Sequence, residues 1–336
     1  MAGVTLKDIA KECGISFSAV SKALKGSSEI SLDTIKLVTE TAQRMGYSPN
    51  SAARALRTNR SYDIGVIFED STGSGLQHQY FAKIFDAINV VANVAGYDIT
   101  FLNSKEKRDY LAQAKYRGCD GIAIVSTKFN RQDIVSLLSS EIPTCTLDYS
   151  FSKNHNSVLS DNFSGMKTLT EYAVAQGHKK IAFIHGEMSD VSKERIASFM
   201  QTLEANGITP DSSLIVPGVF HDTDSSAQAT VRLLSQTEKP TCIFYPDDYA
   251  CMGGIRVLSE YGMIPGRDIS IAGYDGTMLA ELVTPKLTTY EQNAREIGAQ
   301  MVKLLLNQIE NPKTFEPTSV SVSGRLIHGQ SIASIG

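Results

Sequence analysis

TLKDIAKECGISFSAVSKAL, Thr5 to Leu24, lies near the start of a chain of 336 residues. Thr5 can accept from an orphan amide at a helix start, and Asp8 sits near the positive end of the helix that follows. Leu6, Ile9, Ala10 and Cys13 then recur at i, i+3, i+4 and i+7, one apolar stripe of a helix, until Gly14 permits the backbone conformation that ends it. Ser16 caps a second helix almost at once. Val20, Ala23 and Leu24 turn its inner face toward the first helix, leaving Phe17, Ser18, Ser21 and Lys22 on the other side. Two short helices joined by so tight a glycine turn predict a helix-turn-helix, whose second helix enters the major groove of DNA. A small three-helix domain without a nucleic-acid partner is the alternative; against it, that outer face is not the Glu/Lys-rich surface of a merely solvated helix.

A third helix begins at Ser31, packs through Ile35, Val38, Ala42 and Met45, and stops at Gly46. Pro49 interrupts, Asn50 can cap, and residues 51–58 (SAARALRT) predict a short Ala-rich helix. Isolated helices below about 12 residues are marginal in water, so this one needs a partner to order it.

These residues carry a resemblance. Thr5 to Ala10, Gly14-Ile15-Ser16, Val20 to Leu24, Gly46 to Asn50 and Ala53 to Arg57 together resemble the headpiece of the LacI/GalR family of bacterial transcription regulators. The resemblance implies that Phe17, Ser18 and Lys22 face base edges and that Ser16 and Ser21 lie near phosphates, with Thr5 and Leu6 also at the DNA. It implies a hinge helix, paired across a homodimer in the minor groove. There Leu56 would be a wedge between central base pairs, flanked by Arg54 and Arg57, with Asn50 and Ala53 beside it. A staple of Leu56 onto the head is the alternative. Lys22 can reach guanine acceptors and would discriminate more than Ser18, which pairs with several bases.

Charge agrees with a nucleic-acid partner once it is divided. The chain carries a net −4, but residues 1–62 hold nine Lys/Arg against five acids, leaving +4 on the head and −8 on the remainder. Five cysteines without CxxC spacing predict free thiols in a reducing cytosol. The N-terminus lacks the pattern of an export signal, and no apolar run is long enough to span a bilayer. A cytoplasmic protein is expected.

From Tyr62 the pattern changes. Residues 64–68 (IGVIF), 121–125 (GIAIV), 181–184 (IAFI), 241–245 (TCIFY) and 269–273 (ISIAG) are apolar without alternation, as strands buried on both faces should be. Helical patterns at 80–95 and 164–176 lie between them, predicting α/β architecture with parallel sheets in two lobes. The resemblance extends here, to a body similar to periplasmic sugar-binding proteins: headpiece 1–49, hinge 50–60, one lobe from 61–160 with 291–322, the other from 161–290 with 323–336.

Ligands of open parallel sheets bind beyond the carboxyl ends of strands. Glu69, Asp70, Asp161, Asp247, Asp248 and Asp275 all follow strand-like runs there, and carboxylates accept well from vicinal hydroxyls. The alternative for each is a helix cap or a solvated loop acid. Gly273-Tyr274-Asp275, the helix containing Arg195, Phe220, the Asp161-Asn162 pair and the segment ending at Gln292 resemble ligand-binding parts of the family. The expected ligand set is completed by His78, in an unusual loop over 71–79, and Phe81. The implied effector is a small polar molecule, a sugar. Departures at Asp247 and Ser198 leave its identity open. His78, His185 and His221 are too scattered along the chain for metal-ligand spacing, so no metal or cofactor is expected. Other readings are a solute-binding protein, an enzyme, for which no GxGxxG, P-loop or GxSxG is found, and a regulator of the same fold controlled by a phosphoprotein or a non-sugar corepressor.

Overall fold

The computed structural model describes residues 4–24, 26–47, 55, 58, 60–70, 75–103, 109–150 and 155–335. The chain forms two compact units, Met1–Ser61 and Tyr62–Gly336.

In the first unit α1 spans Leu6–Cys13, α2 Phe17–Ala23 and α3 Leu32–Arg44. Thr5 and Asp8 form a reciprocal capping box, and α1 ends on Gly14 at φ 66°, which a side chain would resist. Ser16 and Ser31 cap the next two helices, accepting from the amides of Ala19 and Thr34. Ile9, Ala10, Val20, Ala23, Val38 and Ala42 close one small core, with Leu6, Ile35 and Met45 packed against it. Most of the expected hinge helix lies outside the described residues.

The second unit holds two six-stranded sheets. Its strands are β1 Asp63–Phe68, β2 Asp98–Leu102, β3 Gly121–Ser126, β4 Thr144–Leu147, β5 Asn156–Ser160, β6 Ile181–His185, β7 Ile215–Pro217, β8 Cys242–Phe244, β9 Ser270–Asp275, β10 Thr288–Glu291, β11 Ser319–Val322 and β12 Arg325–Ile327. Sheet one runs β11-β5-β4-β3-β1-β2 and sheet two β12-β10-β9-β8-β6-β7. All neighbours pair parallel except β12, which is antiparallel to β10. The helices that matter to the site are α4 Gln79–Val94, α5 Tyr110–Arg117, α6 Gln132–Leu138, α7 Asn162–Ala175, α8 Asp190–Ala205, α9 Thr223–Leu234, α10 Asp248–Glu260, α11 Met278–Leu282 and α12 Ala294–Glu310.

Period two explains the unbroken apolar strands. On one face of sheet one, Ile64, Val66, Ala123 and Val125 meet Ile84 and Ile88 of α4 and Ile297, Met301 and Leu305 of α12; on the other, Ile67, Ile122 and Ile124 meet α5 and α6. Sheet two divides likewise. Ala182, Ile184, Ile243 and Ile271 face α9 and α10, while Phe183, Phe244, Ala272 and Tyr274 face Met166 and Leu169 of α7 and Phe199 and Leu203 of α8. The chain passes from sheet one to sheet two after β5, returns after β10, and crosses a third time between β11 and β12.

Candidate functional site

The outer face of α2 is built as the sequence predicts. Phe17 is 44% exposed, Ser18 and Lys22 are exposed and Ser21 is half-buried, while Val20 and Ala23 hold the helix on the core. Ser16 and Thr5 spend their hydroxyls on capping, and Leu6 packs inward. Lys22 ion-pairs with Glu29, whose carboxyl is thereby held below the usual range. Asn50, Ala53, Arg54, Leu56 and Arg57 lie outside the described residues.

In the larger unit the carboxyl ends of the two sheets face a cleft. Asp275 ends β9 with φ 95°, a strained backbone for a residue with a side chain, and accepts from Gln292 Nε2 at 2.6 Å. Gln292 is 8% exposed and its Oε1 is buried with no partner among the described residues. Arg195 of α8 is 4% exposed; its Nε donates to Asn162 Oδ1 at 2.8 Å, its Nη1 to the Pro246 carbonyl at 2.9 Å, and its guanidinium lies over the Tyr274 ring. Phe220 borders the same cation, with its ring against Gly186, where a Cβ would come within 2.1 Å.

Asp247 caps α10 through Oδ1, and its Oδ2 accepts from the His221 amide at 2.8 Å. Burial opposes its ionisation, but the His221 hydrogen bond and charge prevail and its pKa is lowered; His221, desolvated too, is correspondingly raised by Asp247. His78 stands at the start of α4 and comes from the other lobe. Burial and the neighbouring His221 lower its pKa. The two imidazoles, far apart in the sequence, face each other across the cleft, and Phe81 packs edge-on against His221. His185 is not with them; its Nδ1 bonds to the Gly186 carbonyl. The approach of His221 was missed from the sequence because the lobes, not the chain, bring it there.

Other acids are already engaged by the protein. Glu69 takes hydrogen bonds from Tyr110 and Thr127 and pairs with Arg131, which together outweigh its burial and lower its pKa. Asp70 accepts from the Gly75 amide. Asp161 caps α7 and its second oxygen accepts from Ser323, so it ties two chain crossovers together. Asp248, fully buried, accepts from Thr289 and Thr277, and burial pushes its carboxyl up to about 8. A cavity of about 740 Å³ beside Glu69, Asp70 and Arg131 lies against the first lobe and does not include His78, Asp275 or Gln292.

The lobes touch across the cleft through Gln79, which accepts from the Met278 amide, and Lys83, which donates to the Gly276 carbonyl at 3.4 Å. No helix among the described residues is long and apolar enough to cross a membrane.

Known proteins share this fold over most of the chain. Residues 5–50 match the model of the bacterial regulatory proteins of the lacI family, and residues 170–332 that of a periplasmic binding protein-like domain. The HTH-type transcriptional repressor PurR of Pasteurella multocida (strain Pm70) is 29% identical over 338 residues, covering 98% of this chain and 99% of that protein. Among solved structures, the lac repressor dimer bound to operator and the anti-inducer ONPF matches with a TM-score of 0.80 at 25% identity, over 99% of this chain and 100% of that one. A LacI family transcriptional regulator from Enterococcus faecium with bound ribose matches with a TM-score of 0.71 at 28% identity, over 82% of this chain and 100% of that one.

Proposed function

We propose that the chain is a transcription repressor of the lacI type that holds a near-palindromic operator as a homodimer and is tuned by a small carbohydrate in the cleft. In this reading Phe17, Ser18 and Lys22 read the major groove, the segment 50–58 enters the minor groove, and the protein works in the cytoplasm without transforming its ligand. The effector half rests on one observation: Asp275 and Gln292, a hydrogen-bonded pair at the end of sheet two, leave a buried amide oxygen unpartnered. Such an oxygen suits a hydroxyl donor, and Asp275 supplies a charge-assisted acceptor beside it.

A ligand that draws the lobes together biases the relation of the two headpieces in a dimer. The coupling is reciprocal, so the ligand changes operator affinity only by as much as it prefers one arrangement of the lobes. The test is retention of duplex fragments from the region flanking the gene, against random duplex, with mono- and disaccharides added in turn. Equal retention of both duplexes would remove the DNA half; specific retention indifferent to every sugar would remove the carbohydrate.

A further inference from the structure

Three groups on the cleft wall form a set that the sequence could not bring together. His78 comes from the first lobe, His221 from the loop before α9, and Asp247 from the N-terminus of α10. Their nearest nitrogen and oxygen atoms all lie within 4.8 Å of one another. The imidazole centroids are 3.8 Å apart, and His221 Nδ1 lies 3.4 Å from Asp247 Oδ2. His78 is 5% exposed and Asp247 1%. The Nδ1 of His78 is buried without a hydrogen-bond partner among the described residues, and that of His221 has only the long approach to Asp247. Leaving a buried ring nitrogen unmatched, as at His78, costs about 1 to 3 kcal/mol. Asp247 accepts from the amides of Ala250 and His221, one on each oxygen, and those two bonds fix its orientation beside the His221 ring.

We propose that the cleft binds a divalent transition-metal ion of the zinc class through His78, His221 and Asp247, joining one lobe to the other. Two imidazoles and a carboxylate suit zinc and its neighbours, whereas magnesium and calcium prefer all-oxygen shells. Nitrogen and oxygen ligands bind zinc at about 2.0 to 2.2 Å, so side-chain adjustments of the order of 1 Å bring the three into coordination. With three protein ligands the fourth position is open to water or to an oxygen of the effector. Only that last point rests on the cleft being the effector site; the binding of the ion stands apart from it. An ion held this way favours the closed arrangement because His78 and the other two ligands belong to different lobes.

The experiment uses the untagged full-length protein, stripped with a chelator. Zinc chloride titrated calorimetrically is expected to bind at one equivalent per chain, and cobalt(II) to give the visible absorption of a four-coordinate site at the same stoichiometry. His78→Ala and, separately, His221→Gln are each expected to weaken the affinity at least about tenfold, while His328→Ala, which alters a ring packed on Tyr172, leaves it unchanged. Circular dichroism and operator retention show that each variant is folded. Absence of a one-equivalent event, or binding that survives in folded His78→Ala and His221→Gln proteins, overturns the proposal. Saccharides titrated against the chelated protein report on the carbohydrate reading alone, so the two can fail separately.

Discussion

Arg195 lays its guanidinium on the ring of Tyr274, 3.6 Å from the centroid, inside the second lobe. The tyrosine precedes the strained Asp275, and the arginine also holds Asn162 at the start of α7 and the carbonyl of Pro246 two residues before α10. One planar cation therefore fixes the ends of several elements around the cleft.

Arg195→Lys keeps the charge but loses the flat stacking surface and the forked donors. Stability is expected to fall by about 2 kcal/mol, from a charge-assisted hydrogen bond and the cation–ring contact. Effector affinity is expected to fall at least about tenfold. Urea unfolding and calorimetric titration measure the two; full retention of both would show that the stack does not organise the cleft.

Gly186→Ala asks whether Phe220 is a ligand platform. The new methyl would meet the Phe220 ring at 2.1 Å and force it aside, whereas the rest of sheet two is untouched. Effector affinity should drop about tenfold with a stability loss of no more than about 1 to 3 kcal/mol. Unchanged affinity would take Phe220 out of the binding surface.

Asp248 supplies a pH signature. Its folded pKa is raised to about 8 by burial, while in the unfolded chain it ionises near the ordinary value of about 4. Between those values the unfolded state binds fewer protons, so this group makes stability fall as pH rises from about 4 to about 8, by up to about 1.4 kcal/mol per unit. Asp248→Asn can keep the bonds from Thr277 and turn its amide toward Thr289. Urea midpoints measured across that window should decline less in the variant than in the parent. Parallel curves would mean that the carboxyl is ionised when buried.

Lys22→Ala tests base reading by α2. Loss of a contact to guanine should cost about 1 to 3 kcal/mol on the operator and little on random duplex, as read by competition retention at fixed salt. Equal losses on both, with a salt slope smaller by about one, would place Lys22 on a phosphate.

The fold was legible where one physical rule acted alone. Caps at Thr5, Ser16 and Ser31 and apolar stripes on α1 and α3 announced the head, and strands such as Gly121–Ser126 announced parallel sheets because both faces meet helices. The short edge strands Ile215–Pro217 and Arg325–Ile327, half-buried or exposed, carry no such run. At the site, residue type was informative and engagement was not. Glu69 and Asp275 are both acids after a strand, yet one is held by Arg131, Tyr110 and Thr127 and the other by Gln292 in the cleft. His221 had no local signal at all, since its neighbour His78 arrives from the opposite lobe.

Because α12 and β11 return to sheet one from the far end of the chain, Ile297, Met301, Val302, Leu305 and Ile309 complete a core begun at Ile64. During synthesis that first lobe waits, its apolar flank bare, until the ribosome has released residues beyond 322, and sheet two waits a little longer for β12 and the buried Ser331 and Ile332. Cutting the chain short after β10 would take β12 and the buried Ser331 and Ile332 from sheet two and leave an open hydrophobic face on sheet one, a substrate for chaperones and for aggregation rather than a smaller working protein.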